Sequence, residues 1–380
     1  MRILHTADLH LGRQFNGIAL DTDCAAVLDQ IVSAVIARQA DVLVIAGDIF
    51  DRASPPASAV RQLNGFLSRV ASETEAAVVM IAGNHDSGDR IAAMSIMTDT
   101  RRALIRGPIS SDERPLVLAD AHGPVAFSAL PFAHEYAARA CFADESLQSP
   151  QDVLAAQLAC ARRHLPDGAR WVVVAHAFVA GAWGSDSERP LTRVGGIETV
   201  DPGIFEGAHY VALGHLHRPQ AVGAPHIRYS GAPLAFGFDE TDCAKSMSLV
   251  ELDAAGRATV EVIPFEPRRR VRVLRGKHAE LLQAEPSEDF VKLVLTDDVP
   301  VIDAMKRIRQ VFPNACELAY EHRQRAPELK SLAGRSVAVA DPVDIIGDFL
   351  EHVRDDRLSK REREVVASAL GRLGEKEQRE

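Results

Sequence analysis

The sequence predicts an α/β chain: a layered sandwich of two central sheets flanked by helices, then a small α+β domain and a C-terminal helical tail. Three observations carry this reading. Short apolar runs alternate with helical periodicities from residue 1 to about 265. Acidic, imidazole and amide side chains stand at the ends of five of those apolar runs. Beyond Pro264-Phe265-Glu266-Pro267 the pattern restarts on a smaller scale.

Taken in order, Ile3-Leu4 reads as the first strand. Residues 22–38 follow as a helix, with Val27, Leu28, Ile31, Val35 and Ile36 at helical spacing. Val42 to Ala46 is a strand, and 56–70 is a helix entered by Pro55-Pro56. Val78 to Ala82 is a strand, 151–164 a helix, and Trp171 to Ala175 and Tyr210 to Leu213 are strands. Ile227 to Ser230, Ser246 to Leu252 and Ala258 to Ile263 lean to β, with a hairpin through Asp253-Ala254-Ala255-Gly256.

The second part reads β-α-β-α-β. Its strands fall at 271–275, 290–295 and 315–320, and its helix at 300–311 is ended by Pro313. These features divide the chain into 1–265, 266–322, a linker at 323–340 and a tail at 341–380. In the tail, Asp341-Pro342 caps a helix that carries Val343, Ile346, Leu350 and Val353 on one face, with Ile345 and Phe349 beside them. A second run starts at Ser359 and carries Val365, Val366, Ala369, Leu370 and Leu373. These helices either pack back on the body or dock a partner.

The length of 380 residues suits two domains with a tail. Apolar content of 47% with 25% charge is that of a globular chain. No apolar stretch is long enough to span a membrane. The start, Met1-Arg2-Ile3-Leu4-His5, does not read as a secretory signal, so a cytoplasmic protein is expected. Cys24, Cys141, Cys160, Cys243 and Cys316 form no CxxC, which argues for reduced thiols and against cysteine-bound zinc. The net charge of −10 argues against a protein that coats nucleic acid by bulk charge. It leaves a nuclease open, because bound cations offset acidic ligands locally. The segment Arg268 to Lys277 carries six cations. It reads either as a phosphate-contacting edge or as a solvated strand face, with Arg268, Arg270 and Arg272 in one row.

The five motifs are Asp8-Leu9-His10, Gly47-Asp48, Gly83-Asn84-His85-Asp86, His176 and Gly214-His215-Leu216-His217. Strand tips of such sheets share one edge, where ligands bind. Hard and borderline donors converging there fit a two-metal hydrolytic centre. Asp48 is placed to bridge two ions, and Gly83 reads as a source of backbone freedom for a tight turn. Any one of these residues alone is more often a turn residue or a structural histidine. The joint pattern carries the reading.

Together these motifs resemble the calcineurin-like metallophosphoesterase family. The likeness is densest in Met1 to Gly12, Ala46 to Pro56, Ala82 to Ser87 and Tyr210 to Gln220, and extends to Arg228 to Pro233 and Phe238 to Glu240. Within the family these blocks resemble the nuclease subunits of bacterial DNA-repair complexes. The resemblance implies that Asp8, His10, Asp48 and His217 hold one ion, and that Asp48, Asn84, His176 and His215 hold the other. His85 is then no ligand but a general acid or transition-state stabiliser. Two divalent ions, with Mn²⁺ the expected metal, would clamp the phosphate and activate a water.

The same likeness implies 3′→5′ exonuclease action on duplex ends and endonuclease action at hairpins or single strands, in DNA repair, recombination and replication. It further implies a DNA-positioning cap in 266–322, a tail that docks a coiled-coil, SMC-like ATPase, and a homodimer that forms a heterotetramer with that ATPase. The chain departs from the pattern at Ala232, where Gly-Ser-Pro is common. It departs again at Asp51, where some relatives carry a second catalytic-type histidine, so that role does not transfer. The competing readings are a small-molecule or cyclic-nucleotide phosphodiesterase and a scaffold that has lost catalysis. Against the first stand the extra domain and tail; against the second, all eight site positions are present.

Overall fold

A computed structural model describes residues 1–95, 99–188, 192–193, 196–197, 199–321, 343, 346–347, 350 and 358–377. The chain divides into two compact units, Met1–Glu321 and His322–Glu380.

Two six-stranded sheets organise the first unit. The first runs in the order Ala258–Pro264, Ser246–Leu252, Arg2–Thr6, Val42–Ala46, Ala77–Ile81, Ala103–Arg106. Its last four strands are parallel, and Ser246–Leu252 joins them antiparallel. The second runs Gln220–Val222, Ala224–Tyr229, Tyr210–Gly214, Arg170–His176, Gly123–Leu130, Leu116–Asp120. Its four inner strands are parallel and both edges antiparallel.

The sheets stack face to face with a helix layer outside each. All five residues of Val42–Ala46 are buried, which is why its apolar run does not alternate. Leu43 and Ile45 point to the helices Asp21–Arg38 and Ala57–Glu73, against Val27, Ile31, Leu63 and Phe66. Val42, Val44 and Ala46 face the second sheet, against Phe127, Val172, Val174 and Ala212. Each fully buried side chain of this size contributes about 1.5–3 kcal/mol. The helix Pro150–Arg162 closes the far side through Leu154, Leu158 and Ala161 on Trp171 and Val173. Its start is sharp because Ser149 and Asp152 form a reciprocal capping box ahead of Pro150.

Among the described residues the expected elements recur within a few residues of their sequence bounds. Others were not anticipated: the strands Ala103–Arg106, Leu116–Asp120 and Gly123–Leu130, and the helices Gly88–Ala93 and Glu135–Phe142. Gly123–Leu130 opens with Gly-Pro and holds Ser128 and two alanines, so it lacks the β-branched run of its neighbours. Pairing on both sides makes it a strand.

Residues 267–321 form a parallel three-stranded sheet, Val271–Gly276, Phe290–Leu295 and Ala315–Tyr320. Leu281, Val291, Leu293, Ile308 and Phe312 fill its core. The helix expected at 300–311 shortens to Ala304–Ile308. Asp303 takes a left-handed backbone at its start, and Val299 and Ile302 are exposed. The expected cationic row also changes. The strand begins at Val271, so Arg268 and Arg270 precede it. Arg269, Arg272 and Arg275 are held in ion pairs with Asp23, Asp289 and Glu321.

This small sheet is seated on the sandwich. Phe290 packs beside Phe15 at 4.8 Å between ring centres, and the Arg269 guanidinium lies 4.4 Å over Phe290. Arg269 also makes a bidentate pair with the buried Asp23. In the second unit, Ser359 and Glu362 cap the helix Lys360–Glu377 reciprocally. The expected linker at 323–340 lies outside the described residues, as does most of the first tail helix.

Removing one partner of a buried ion pair leaves the other charge uncompensated. Asp23→Ala should therefore lower stability by about 3 kcal/mol and speed protease cleavage near Pro264–Pro267. Urea unfolding and limited proteolysis measure both, and unchanged midpoints would show that the aromatic contacts alone seat the small sheet.

Candidate metal centre

The predicted residues meet at the carboxyl edge of both sheets. The loops after Arg2–Thr6 and Val42–Ala46 run side by side, with Asp8 N–H donating to the Gly47 carbonyl and His10 N–H to that of Asp48, both at 3.0 Å. In the second sheet His176 lies opposite Gly214, which places His215 next to it. Asp8, His10, Asp48, His85, His176, His215 and His217 are all buried.

Asp48 is the hub. Its Oδ2 lies 3.6 Å from His10 Nε2, 3.5 Å from His176 Nε2 and 3.9 Å from His85 Nε2. Its Oδ1 accepts the His85 backbone N–H at 2.9 Å. Around it two donor groups form. In one, His10 Nε2 faces His217 Nε2 at 3.1 Å beside Asp8. In the other, Asn84 Oδ1 meets His176 Nε2 at 2.9 Å and His215 Nδ1 at 3.2 Å. Both groups pair residues from different strand tips of different sheets.

The loops are strained to do this. Asp8, His10, Asp48 and His215 all have positive φ, at 54°, 43°, 48° and 103°. Non-glycine residues held this way are uncommon and cluster at functional sites. Gly83, expected to supply backbone freedom for a tight turn, has no left-handed φ and is needed for another reason. A Cβ there would sit 2.2 Å from Asp48 Oδ1, so glycine is needed for close approach. Gly214 is alike: its Cβ would meet the Ala46 carbonyl oxygen at 1.8 Å.

Several supporting residues carried no role in the sequence reading. Asp86 accepts the backbone N–H groups of Ile49, Phe50 and Gly83 at 2.9–3.0 Å, tying two ligand loops together. Burial, with the Asp48 charge adding to it, lifts its carboxyl to about 7. His217 Nδ1 contacts Ser187 Oγ at 2.6 Å. Ser187 donates to Glu240, which also pairs with Lys245. Glu188 Oε1 accepts the His217 N–H. Phe236 meets His10 and His217 edge-on under the Arg13 guanidinium. Of these, Asp86 and Glu240 lie inside the motif blocks, while Ser187 and Phe236 had no sequence signal. Asp51 reaches both His10 and His85. Its carboxylate is 3.7 Å from His10 Nδ1, and its carbonyl accepts from His85 Nδ1 at 2.8 Å.

Residues 1–219 match the family model for calcineurin-like phosphoesterases. Residues 267–354 match the model described as the type 5 capsule protein repressor C-terminal domain. The SbcD component of the SbcCD nuclease of Staphylococcus saprophyticus is 33% identical over 322 residues, which is 84% of this chain and 84% of that protein. The chain is a calcineurin-like phosphoesterase of the SbcD family. The fold of an SbcD-type phosphoesterase implies divalent metal ions.

The residues present fit such ions. Asp8 Oδ2 is buried without a hydrogen-bond partner, an arrangement that costs about 1–3 kcal/mol or more unless a cation meets it. The carbonyl of Ala46 takes the His176 Nδ1 proton at 2.9 Å and leaves Nε2 for a ligand. Burial holds His215 down at about 3 and His10 well below its usual value, so their lone pairs are free near neutrality. His176 differs. Burial opposes its charged form, but the charge and hydrogen bond of Asp48, with Asp8 and the Ala46 carbonyl, together outweigh burial and raise it to about 9. Asp8 is raised well above the carboxylate range, chiefly by burial. The site without ions therefore binds protons that a cation must displace.

No helix of the described residues is long and apolar enough to cross a membrane. Metal affinity should climb with pH between about pH 6 and 8. His176 is protonated below about 9, so each fall in pH favours the proton over the metal. Calorimetric titration with Mn²⁺ in two buffers of different ionisation enthalpy should show at least about one proton released per site. A pH-independent affinity with no proton release would contradict the displaced-proton account.

Proposed function

We propose that this chain is a binuclear-metal-dependent DNA nuclease. It acts as a 3′→5′ double-strand exonuclease and as an endonuclease at hairpins and single strands. Membership in the SbcD family and the phosphoesterase domain support a metal-dependent nuclease. The observation that carries the reading is the Asp48 carboxylate, shared by His10, His176 and His85 across two sheets. Asp8, His10, Asp48 and His217 would hold one ion, and Asp48, Asn84, His176 and His215 the other. The oxygen- and imidazole-rich donor set, with no thiolate, suits Mn²⁺.

Bound ions would supply Lewis-acid charge for the phosphate oxygens and a water acidic enough to ionise near neutral pH. The chain supplies the rest. Asp48, held through Oδ1 by the His85 N–H, keeps its second oxygen turned to the centre. The Asp51 carbonyl can only accept, so the hydrogen bond from His85 fixes a proton on Nδ1. With Nδ1 so held, a protonated Nε2 would stabilise the transition state or pass its proton to the departing sugar oxygen, leaving a neutral imidazole. Ser187 and Glu240 hold His217, and Ala46 holds His176, so these rings need no reorientation.

The remaining organisation follows the same reading. Residues 1–265 form the nuclease domain, 266–322 a cap that positions DNA, and 323–340 a linker. Residues 341–380 dock an SbcC-type coiled-coil ATPase. The match of residues 267–354 to a C-terminal domain model supports a distinct module there. The working assembly is a homodimer in a heterotetramer with that ATPase, cytoplasmic and nucleoid-associated, serving DNA repair, recombination and replication.

End-labelled linear duplex DNA in Mn²⁺ should release nucleotides with the wild type and not with Asp48→Asn, which should also lose metal. His85→Ala should keep both ions, by metal analysis, yet lose about two to four orders of magnitude in rate. Loss of metal in His85→Ala would make it a ligand instead of an acid. Hydrolysis of a small phosphodiester with no DNA cleavage, in the presence of the ATPase, would favour a small-substrate phosphodiesterase.

A further inference from the structure

Among the described residues only two Phe, Tyr or Trp side chains are exposed: Tyr136, at 68%, and Trp183, at 78%. Both follow strands that end at the metal centre. Tyr136 lies on the helix Glu135–Phe142 reached from Gly123–Leu130, and Trp183 lies on the segment leaving Arg170–His176. Those strands are paired, with Leu130 opposite Ala175.

A row of rings leads outward from the centre. Phe132 stands edge-on to His176 at 6.5 Å and to His134 at 5.0 Å. His134 stacks on Tyr136, with 5.5 Å between ring centres and 15° between planes. The row is fixed at its inner end, where Phe132 N–H donates to the Ala82 carbonyl at 3.0 Å, next to Gly83-Asn84. It is fixed at its outer end because Ala138, on the same helix as Tyr136, is buried against Leu147 and Val153. Trp183 is held by reciprocal bonds between its backbone and the Gln220 amide, at 2.8 and 2.7 Å.

An ordered ring left in water beside a phosphodiester site invites a flat partner. Base–aromatic stacking contributes per base and tolerates any sequence, because every base has a π-face. The surroundings disfavour a protein docking face. Glu135, Ala137 and Arg139 flank Tyr136 on its helix, so the ring does not sit in a broad apolar patch.

We propose that the Tyr136–His134 stack, with Trp183 as a second platform, holds unpaired nucleobases of the strand being cut. The row of rings would then set the adjoining phosphate over Asp48 and His85. The proposal rests on the nuclease reading above and deepens it: the substrate presented to the centre is a locally unpaired strand.

Full-length wild type, Tyr136→Ala, Tyr136→Leu, Tyr136→Trp and Trp183→Ala are compared in Mn²⁺ on a hairpin with an unpaired loop and on a blunt duplex. Thermal melting confirms the fold of each variant. Tyr136→Ala and Tyr136→Leu should raise KM for the hairpin about tenfold, with a smaller effect on the blunt duplex, while Tyr136→Trp restores it. Trp183→Ala should act in the same direction. Equal KM for wild type and Tyr136→Ala, or full function in Tyr136→Leu, would overturn the stacking role and leave the nuclease reading standing. Unchanged KM with weakened capture of the coiled-coil ATPase would assign the surface to a protein. With the coiled-coil ATPase present, a wild type that hydrolyses bis(p-nitrophenyl) phosphate yet cuts neither DNA would remove both readings.

Discussion

Two carboxylates, Asp8 and Asp48, are buried among imidazoles at the meeting edge of two sheets, and the rest of the site is arranged around that fact. A buried carboxylate is costly unless paired. Here the partners come from five strand tips. Asp48 draws on His10 from its own sheet and His176 from the other. The protein thus concentrates carboxylates and imidazoles at one point, where bound protons balance the site until a cation displaces them.

Holding such a cluster strains the backbone. Four of the candidate ligands sit at positive φ, and at such positions L residues are sterically disfavoured. The strain persists because the loops are over-determined. Asp86 binds three backbone amides, and the loops after the first two parallel strands exchange backbone hydrogen bonds. The glycines beside the ligands serve the same end by a different route. At Gly83 and Gly214 any side chain would occupy space already taken by Asp48 or by the Ala46 carbonyl.

The small C-terminal sheet of the first unit is attached by a mixed contact. Phe290 against Phe15 supplies apolar burial, and Arg269 on Asp23 supplies direction. Phe15 also touches Phe238, and Phe236 of the same segment lies against His10 and His217. Two sets of ring contacts, joined through the backbone between Phe236 and Phe238, therefore link the seat of that sheet to one half of the candidate metal centre. Closely packed interiors have low compressibility and transmit strain. That joint is suited to hold the sheet and the metal loops in one register.

What the sequence alone determined is the class of fold and the strand tips at which the candidate site residues stand. Strand-length apolar runs ending in Asp, Asn or His are local features, and each survives in the structure because these strands are buried on both faces. Tertiary structure decided the rest. Gly123–Leu130 carries no strand signature and exists through its two neighbours. The Arg269–Asp23 pair and the Ser187–Glu240 support for His217 join residues far apart in the chain. The positive φ of Asp8 and Asp48 has no signal of its own, because local propensity would have placed glycine there. Periodicity and residue type report what a segment can bury or ligate. Which segments meet, and at what backbone cost, is set by packing between residues that no local pattern connects.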